Sequence, residues 1–325
     1  VLTGFVKAVG HSIEVKFILS GFLHLIIWPL LMRYPELTIS TAHGPYNYSI
    51  DHSNKFLKVI YPDDLLLGDI FRLRQKKYFQ LRAQTLDYIP LKTTTLLPNQ
   101  LAEMIGLSKY IVIQIKTESI NSTWQPIDVS TYLDTLKEII SLGYKVVFAG
   151  REKMPEIFAK LGVINYSEST IATAVNDYLL VLNSSGCLAS SSGFSYIPDV
   201  LDIPLLTVNN YELMPAFPGR KTIHIPSLLS KDGIPMKFID QIDMVHQGYL
   251  AYSGSLFDKS MVCEDASSED ILLAFRELYI VIKTGDAPKS SKEQLFFKSN
   301  SKDDLTIHSS CNISDSFIKK HAERY

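Results

Sequence analysis

The chain has 325 residues, a formal net charge of −2 and a hydrophobic share of 46%. That length predicts two domains rather than one core, and a charged share of only 20% excludes a disordered chain. The near-neutral balance, with no long block of Lys or Arg, excludes global attraction to nucleic acid, so an anionic ligand needs a local device to hold it.

Residues 2–12, LTGFVKAVGHS, read as a strand ending in a Gly-His turn, with an apolar helix following from about Ser12. The run FILSGFLHLIIWPLLM, Phe17 to Met32, is interrupted by His24 and Pro29. It is shorter than the roughly 20 residues of a spanning helix. A buried helix is expected, with peripheral contact to a bilayer as the alternative. RYPELTIST, residues 33–41, closes that helix and starts a second strand, which makes a β-α-β opening. Between Gly44 and Gln100 the pattern is weaker: KFLKVIYP reads as a strand and Phe71 to Leu86 as a basic helix. LKTTTLLPN, Leu91 to Asn99, is polar and ends in proline, as expected of a hinge.

From Lys109 the signal sharpens. KYIVIQIK is a β-branched run suited to a strand buried on both faces, and DVSTYLDTLKEIISLG follows with helical spacing at Leu133, Leu136 and Ile140. YKVVFAG is a second buried strand and MPEIFAKLG a short helix. YLLVLNSSGCLAS is expected to hold a strand or two, YIPDVLD a helical turn and PLLTVN a strand. Strands alternating with helices predict parallel pairing through right-handed crossovers. SSEDILLAFRELYIVIKTG, Ser267 to Gly285, is a helix with a serine N-cap and an acidic first turn. The expected division is an N-terminal lobe over 1–100, a ligand-binding lobe over 101–285 and a polar tail over 286–325. The chain begins at Val1, which leaves an upstream segment open. Cys187, Cys263 and Cys311 are odd in number and far apart, and read as reduced thiols in a cytoplasmic setting.

In an open parallel sheet, ligands bind beyond the carboxyl ends of the strands. Three loops meet that condition: KTESINSTW from Lys116, GREK from Gly150 and SSSGF from Ser190. They are expected to line one crevice. Small residues at Ser190, Ser191, Ser192 and Gly193 let backbone N–H groups approach a phosphate, with Phe194 and Ser195 opening the following helix. Lys116 and Arg151 add positive charge, Glu118 accepts from a sugar hydroxyl, and Asn209 and Asn210 follow the last strand. Each has a plainer counterpart: a serine-capped turn, solvated loop charges, turn asparagines. A proton acceptor is expected at the end of the first strand, where His11 has an ordinary pKa of about 6.5 and Glu14 lies close by in sequence. A helix-terminal histidine bonded to backbone is the alternative. There is no Asp-x-Asp triplet and no His and carboxylate cluster at ligand spacing, so neither metal nor cofactor is expected. A dinucleotide-binding G-x-G-x-x-G and a hydrolase G-x-S-x-G are also missing from the sequence.

The order of these loops resembles the donor-binding half of GT-B glycosyltransferases, particularly heptosyltransferase-like enzymes. Lys116 matches their loop lysine, and Ser191-Ser192-Gly193 stands where they carry Asp-Ser-Gly. The serine in place of aspartate removes any implication of heptose specificity. The chain is more closely similar to a family of bacterial glycosyltransferases found near surface-polysaccharide genes. The likeness is carried by Gly10-His11, GYKVVFAGR, PSLLSKDG, SSEDILLAF and ISDSFIKK. It runs through most of residues 105–320 and thinly before that, and Arg151 follows its glycine where the family's arginine precedes it. The resemblance implies an α/β fold of two Rossmann-like lobes facing a cleft. It implies a cytoplasmic, metal-independent glycosyltransferase, with peripheral contact at the inner face of the membrane as the alternative placement. Such an enzyme moves sugar from a nucleotide-sugar donor to a glycan or lipid-linked acceptor in bacterial surface-glycan assembly. A sugar-nucleotide epimerase on the same scaffold and a non-catalytic nucleotide-sugar-binding protein are the alternatives.

Overall fold

The structure is a computed structural model. It describes residues 14–16, 38–40, 49–51, 99–106, 108–116, 127–190, 192–210, 220–241, 261–289, 291–292, 294–295, 299 and 311–324. The chain divides into two compact units, one of residues 1–89 with 173–178 and one of 90–172 with 179–325.

In the first unit, β1 (Glu14–Lys16) runs parallel to β2 (Thr38–Ser40) and antiparallel to β3 (Ser49–Asp51). The helix expected from about Ser12 is therefore corrected at residues 14–16, which are strand. A three-residue segment is too short to show a period of its own, and pairing on both sides decides its conformation. The apolar run from Phe17 to Met32 lies outside the described residues, as do KFLKVIYP and the basic segment from Phe71 to Leu86.

The second unit opens with helix α1 (Asn99–Ile105) and is built on strands β4 (Tyr110–Gln114), β5 (Lys145–Phe148), β6 (Ile164–Asn165), β7 (Gly186–Ser190), β8 (Leu205–Asn210), β9 (Thr222–Pro226) and β13 (Asn312–Ile313). Together these form a seven-stranded sheet in the order β13-β9-β8-β7-β4-β5-β6, with parallel pairing between all its neighbouring strands. The α/β class with parallel pairing thus agrees with the alternation of strands and helices. All five residues of β4 and of β7 are buried, which is why each reads as an unbroken apolar or small-residue run.

The intervening helices are α2 (Leu133–Ser141), α3 (Glu156–Ala159), α4 (Ala174–Leu182) and α5 (Tyr196–Val200), followed by α6 (Ser268–Thr284) and α7 (Asp315–Lys320). A 3-10 turn, Val129–Tyr132, leads into α2, and Asp128 caps it by accepting from the Ser130 N–H at 2.9 Å. Helix α6 starts at a complete capping box between Ser267 and Asp270, and ends where Gly285 takes φ 76°. Leu136 and Ile139 of α2 join Ile271, Phe275 and Leu278 of α6 over Ile113, Leu206 and Ile225 of the sheet in one core. The segment YLLVLNSSGCLAS, expected to hold a strand or two, holds one at Gly186–Ser190, and its first residues, Tyr178–Leu182, are helical. A continuous apolar run does not separate a buried helix from a buried strand by period alone.

A small antiparallel sheet, order β11-β10-β12, joins β10 (Leu228–Lys231), β11 (Ile234–Pro235) and β12 (Met261–Glu264). Asp232 and Gly233 between β10 and β11 have φ 53° and 76°, the left-handed pair that a two-residue hairpin requires. The C-terminal segment is folded into the same unit: β13 extends the main sheet, and Arg324 donates to the Leu229 carbonyl at 2.9 Å.

Candidate functional site

Strand β4 comes first in the unit; β5 and β6 are added on one side of it, and β7, β8 and β9 on the other. The order therefore reverses between β4 and β7. Connections leaving these two strands diverge to opposite sides, so their carboxyl ends flank a topological switch point, where open α/β sheets take their ligands.

What stands at that point is a set of short polar clasps. The Lys116 N–H donates to Ser190 Oγ at 2.9 Å, joining the segment after β4 to the end of β7. Ser192 Oγ donates to Gln114 Oε1 at 2.7 Å and accepts from the Phe194 N–H at 3.2 Å. Ser195 returns two bonds to the Ser192 carbonyl, from its N–H at 3.2 Å and its hydroxyl at 2.7 Å. Ser190, Ser192 and Ser195 thus shape the turn with their hydroxyls. The N–H group of Ser192 has no acceptor among the described residues. Helix α5 has five residues, so its dipole adds little positive potential to what that amide supplies.

Gly150 ends the segment after β5 with φ 102°, and a Cβ there would stand 2.9 Å from Gln114 Cγ. Its lack of a side chain is what lets Gln114 lie across it and reach Ser192. The next residue, Arg151, is exposed, as is Lys116. Asn209 takes φ 58° and its Oδ1 accepts from the Ala266 N–H at 2.7 Å, tying β8 to the start of α6. Asn210, also in β8, is buried, and its carbonyl accepts from Ser227 at 2.7 Å.

The sequence-predicted residues that the fold brings to one edge are therefore Lys116, Ser190, Ser192, Gly193, Phe194 and Ser195, with Gly150 linked to them through Gln114. His11, Glu118 and Ser191 lie outside the described residues, and Glu14 is described as the first residue of β1. Gln114 was not singled out from sequence. Its signal there is a lone polar residue at the carboxyl end of a β-branched run, in a strand whose other positions are apolar.

Burial pushes the Cys187 thiol up to about 12, so this residue in the middle of the site strand stays protonated and is no nucleophile. Among the described residues, no group of three or more His, Cys, Asp or Glu is placed to hold a metal ion, and no helix is long and apolar enough to cross a membrane.

No protein-family model matches this chain, and no curated protein matches it. Among solved structures it is similar to the dodecameric iron-containing heptosyltransferase TibC in complex with ADP-D-β-D-heptose. The identity is 14% and the TM-score 0.42, over 66% of this chain and 56% of that one. It is similar to TibC from enterotoxigenic E. coli at 16% identity and TM-score 0.37, over 58% and 49% of the two chains. The wall teichoic acid polymerase TagF follows at 13% identity and TM-score 0.24, over 45% and 32%. The chain spans about half the length of the TibC chains it matches, and likenesses of this size do not by themselves assign an activity.

Proposed function

We propose that the chain is a glycosyltransferase that takes a nucleotide-activated sugar, with the donor diphosphate lying over the ends of β4 and β7. The observation that carries this reading is the reversal of strand order at Gln114 and Ser190, with the exposed Lys116 on one side and the small-residue turn at Ser192 and Gly193 on the other. The unengaged Ser192 N–H and the Lys116 ammonium are donors of the kind a departing diphosphate needs.

In this reading the bond between the anomeric carbon and the diphosphate oxygen breaks, its electron pair leaving with the nucleotide. The acceptor hydroxyl forms the new bond and gives up its proton to a base, the role assigned to His11 with Glu14 nearby. Lys116, with Arg151 beside it in the next loop, offsets the charge that collects on the leaving group. Glu118 and Asn209 complete the donor contacts. The lack of an Asp-x-Asp triplet makes this mode independent of metal. The acceptor side falls to the N-terminal lobe that the motif resemblance implies. A glycan or lipid-linked acceptor, at or near the inner face of a bacterial membrane, follows from the motif resemblance.

A thermal-shift panel of nucleotides and nucleotide sugars tests the reading. A ligand at a hundred times its Kd stabilises the folded state by about 2.7 kcal/mol. Stabilisation by at least one nucleotide, lost in a Lys116→Ala, Ser192→Trp double variant, is expected. Release of nucleoside diphosphate with an acceptor present then separates transfer from binding alone. No stabilisation by any nucleotide or nucleotide sugar overturns the proposal.

A further inference from the structure

Gln114 ends β4 in register with Ala189 of β7, on the two strands between which the order reverses. Its side chain is 4% exposed, a level at which polar atoms are expected to have partners. The carbonyl oxygen has one in Ser192. The Ser192 hydroxyl accepts from the Phe194 N–H and gives its own proton to this oxygen, which turns the Nε2 end of the amide away from Ser192. The two hydrogens on Nε2 then have no acceptor among the described residues. That nitrogen lies 3.8 Å from the position of a Cβ on Gly150, so it also adjoins the segment after β5. Nε2 is not one of the fully buried unpartnered atoms, so its hydrogens open to solvent, and at the edge where parallel sheets take ligands that is a place for a ligand oxygen.

We propose that Gln114 is a ligand-contacting residue whose Nε2 hydrogens donate to a phosphate oxygen of a nucleoside diphosphate, while its Oε1 holds the Ser192 turn. This rests on the nucleotide-binding reading above and deepens it by naming a donor that carries no charge. A neutral amide suits the position, because a buried cation at the end of β4 would bear a large desolvation cost whenever the ligand is absent. The same side chain contacts ligand and fixes the turn, so ligand binding and turn geometry are coupled through one residue.

Isothermal titration of the full chain with ADP, GDP, UDP and inorganic pyrophosphate tests this, on the wild type and on Gln114→Glu. Glutamate keeps the acceptor for Ser192 and replaces the amide donor with a negative oxygen. The expected result is binding of at least one probe by the wild type, weakened about tenfold or more in Gln114→Glu, whose buried carboxyl also lowers the melting temperature while the variant still folds. Equal affinity in the two proteins overturns the inference and leaves the nucleotide-binding reading standing. Failure of the wild type to bind any probe removes that reading and this one together. Should Gln114→Glu not fold, the side-chain amide resonance of Gln114 in ¹⁵N-labelled wild type decides. A shift as a bound probe is titrated supports the contact, and an unmoved resonance overturns it.

Discussion

The Lys116 N–H and the Ser190 hydroxyl meet at 2.9 Å, 74 residues apart in sequence, and close the gap between the ends of β4 and β7. Ser190 is fully buried, so the bond is sheltered from competing water. Ser190→Ala leaves the Lys116 N–H without its acceptor and is expected to cost about 1 kcal/mol. The urea midpoint measures this. An unchanged midpoint would mean that solvent replaces the serine at no cost.

Gly150→Ala is expected to be the more damaging change. Alanine at φ 102° is strained, and its methyl carbon would press on Gln114 Cγ at 2.9 Å. Backbone strain alone costs about 1 to 3 kcal/mol, and displacement of Gln114 adds the loss of its bond to Ser192. A drop in melting temperature, with weaker nucleotide binding than the wild type, is the expected outcome. A fully stable variant would place the Gln114 side chain elsewhere.

Glu277 of α6 holds the start of α7. It accepts from the Asp315 and Ser316 N–H groups at 3.1 and 2.8 Å, and from the Ser314 and Ser316 hydroxyls at 2.9 and 2.6 Å. Bonds to a charged acceptor contribute about 1.5 to 3 kcal/mol, so Glu277→Ala is expected to loosen the C-terminal segment first. Hydrogen exchange at residues 315–320 should quicken while β4 and β7 stay protected. Uniform quickening would contradict a local role.

The Asp270 carboxyl is nine-tenths or more buried, and burial opposes its ionisation. Hydrogen bonds from Ser267 and Lys320, with the positive charge of Lys320, outweigh that and hold its pKa below the usual carboxylate value. The Lys320 ammonium stands 3.0 Å from it. A folded-state pKa lower than the unfolded one means stability that is present above the unfolded value, about 3.9, and is lost as pH falls through the folded value. Asp270→Asn is therefore expected to destabilise at neutral pH and to flatten the loss of stability below about pH 4. Urea midpoints across the acid range measure it, and parallel curves for the two proteins would remove Asp270 from the account.

Much of the second unit was legible in advance. Strands at Tyr110–Gln114, Lys145–Phe148 and Leu205–Asn210 follow from buried β-branched runs, and Ser267 and Gly285 mark both ends of α6. The Ser190–Ser195 turn and Lys116 were also singled out from sequence, and they do lie at one sheet edge. What was not legible is how the turn is built. Its serine hydroxyls look like ligand donors in a string of letters, yet those of Ser190, Ser192 and Ser195 are bonded within the protein. Within YLLVLNSSGCLAS the expected strand is Gly186–Ser190, and the helical start at Tyr178–Leu182 was not legible, since a fully apolar stretch carries no face to read.

By itself the sequence determined the alternation of strand and helix, the caps of α6 and the Asp232-Gly233 hairpin, because these depend on residues within a few positions of one another. Only the tertiary structure decided the strand order, the reversal between β4 and β7, and the bond from Ser192 to Gln114 across 78 residues. Partners so far apart are chosen by which surfaces bury together, and no local preference records that choice.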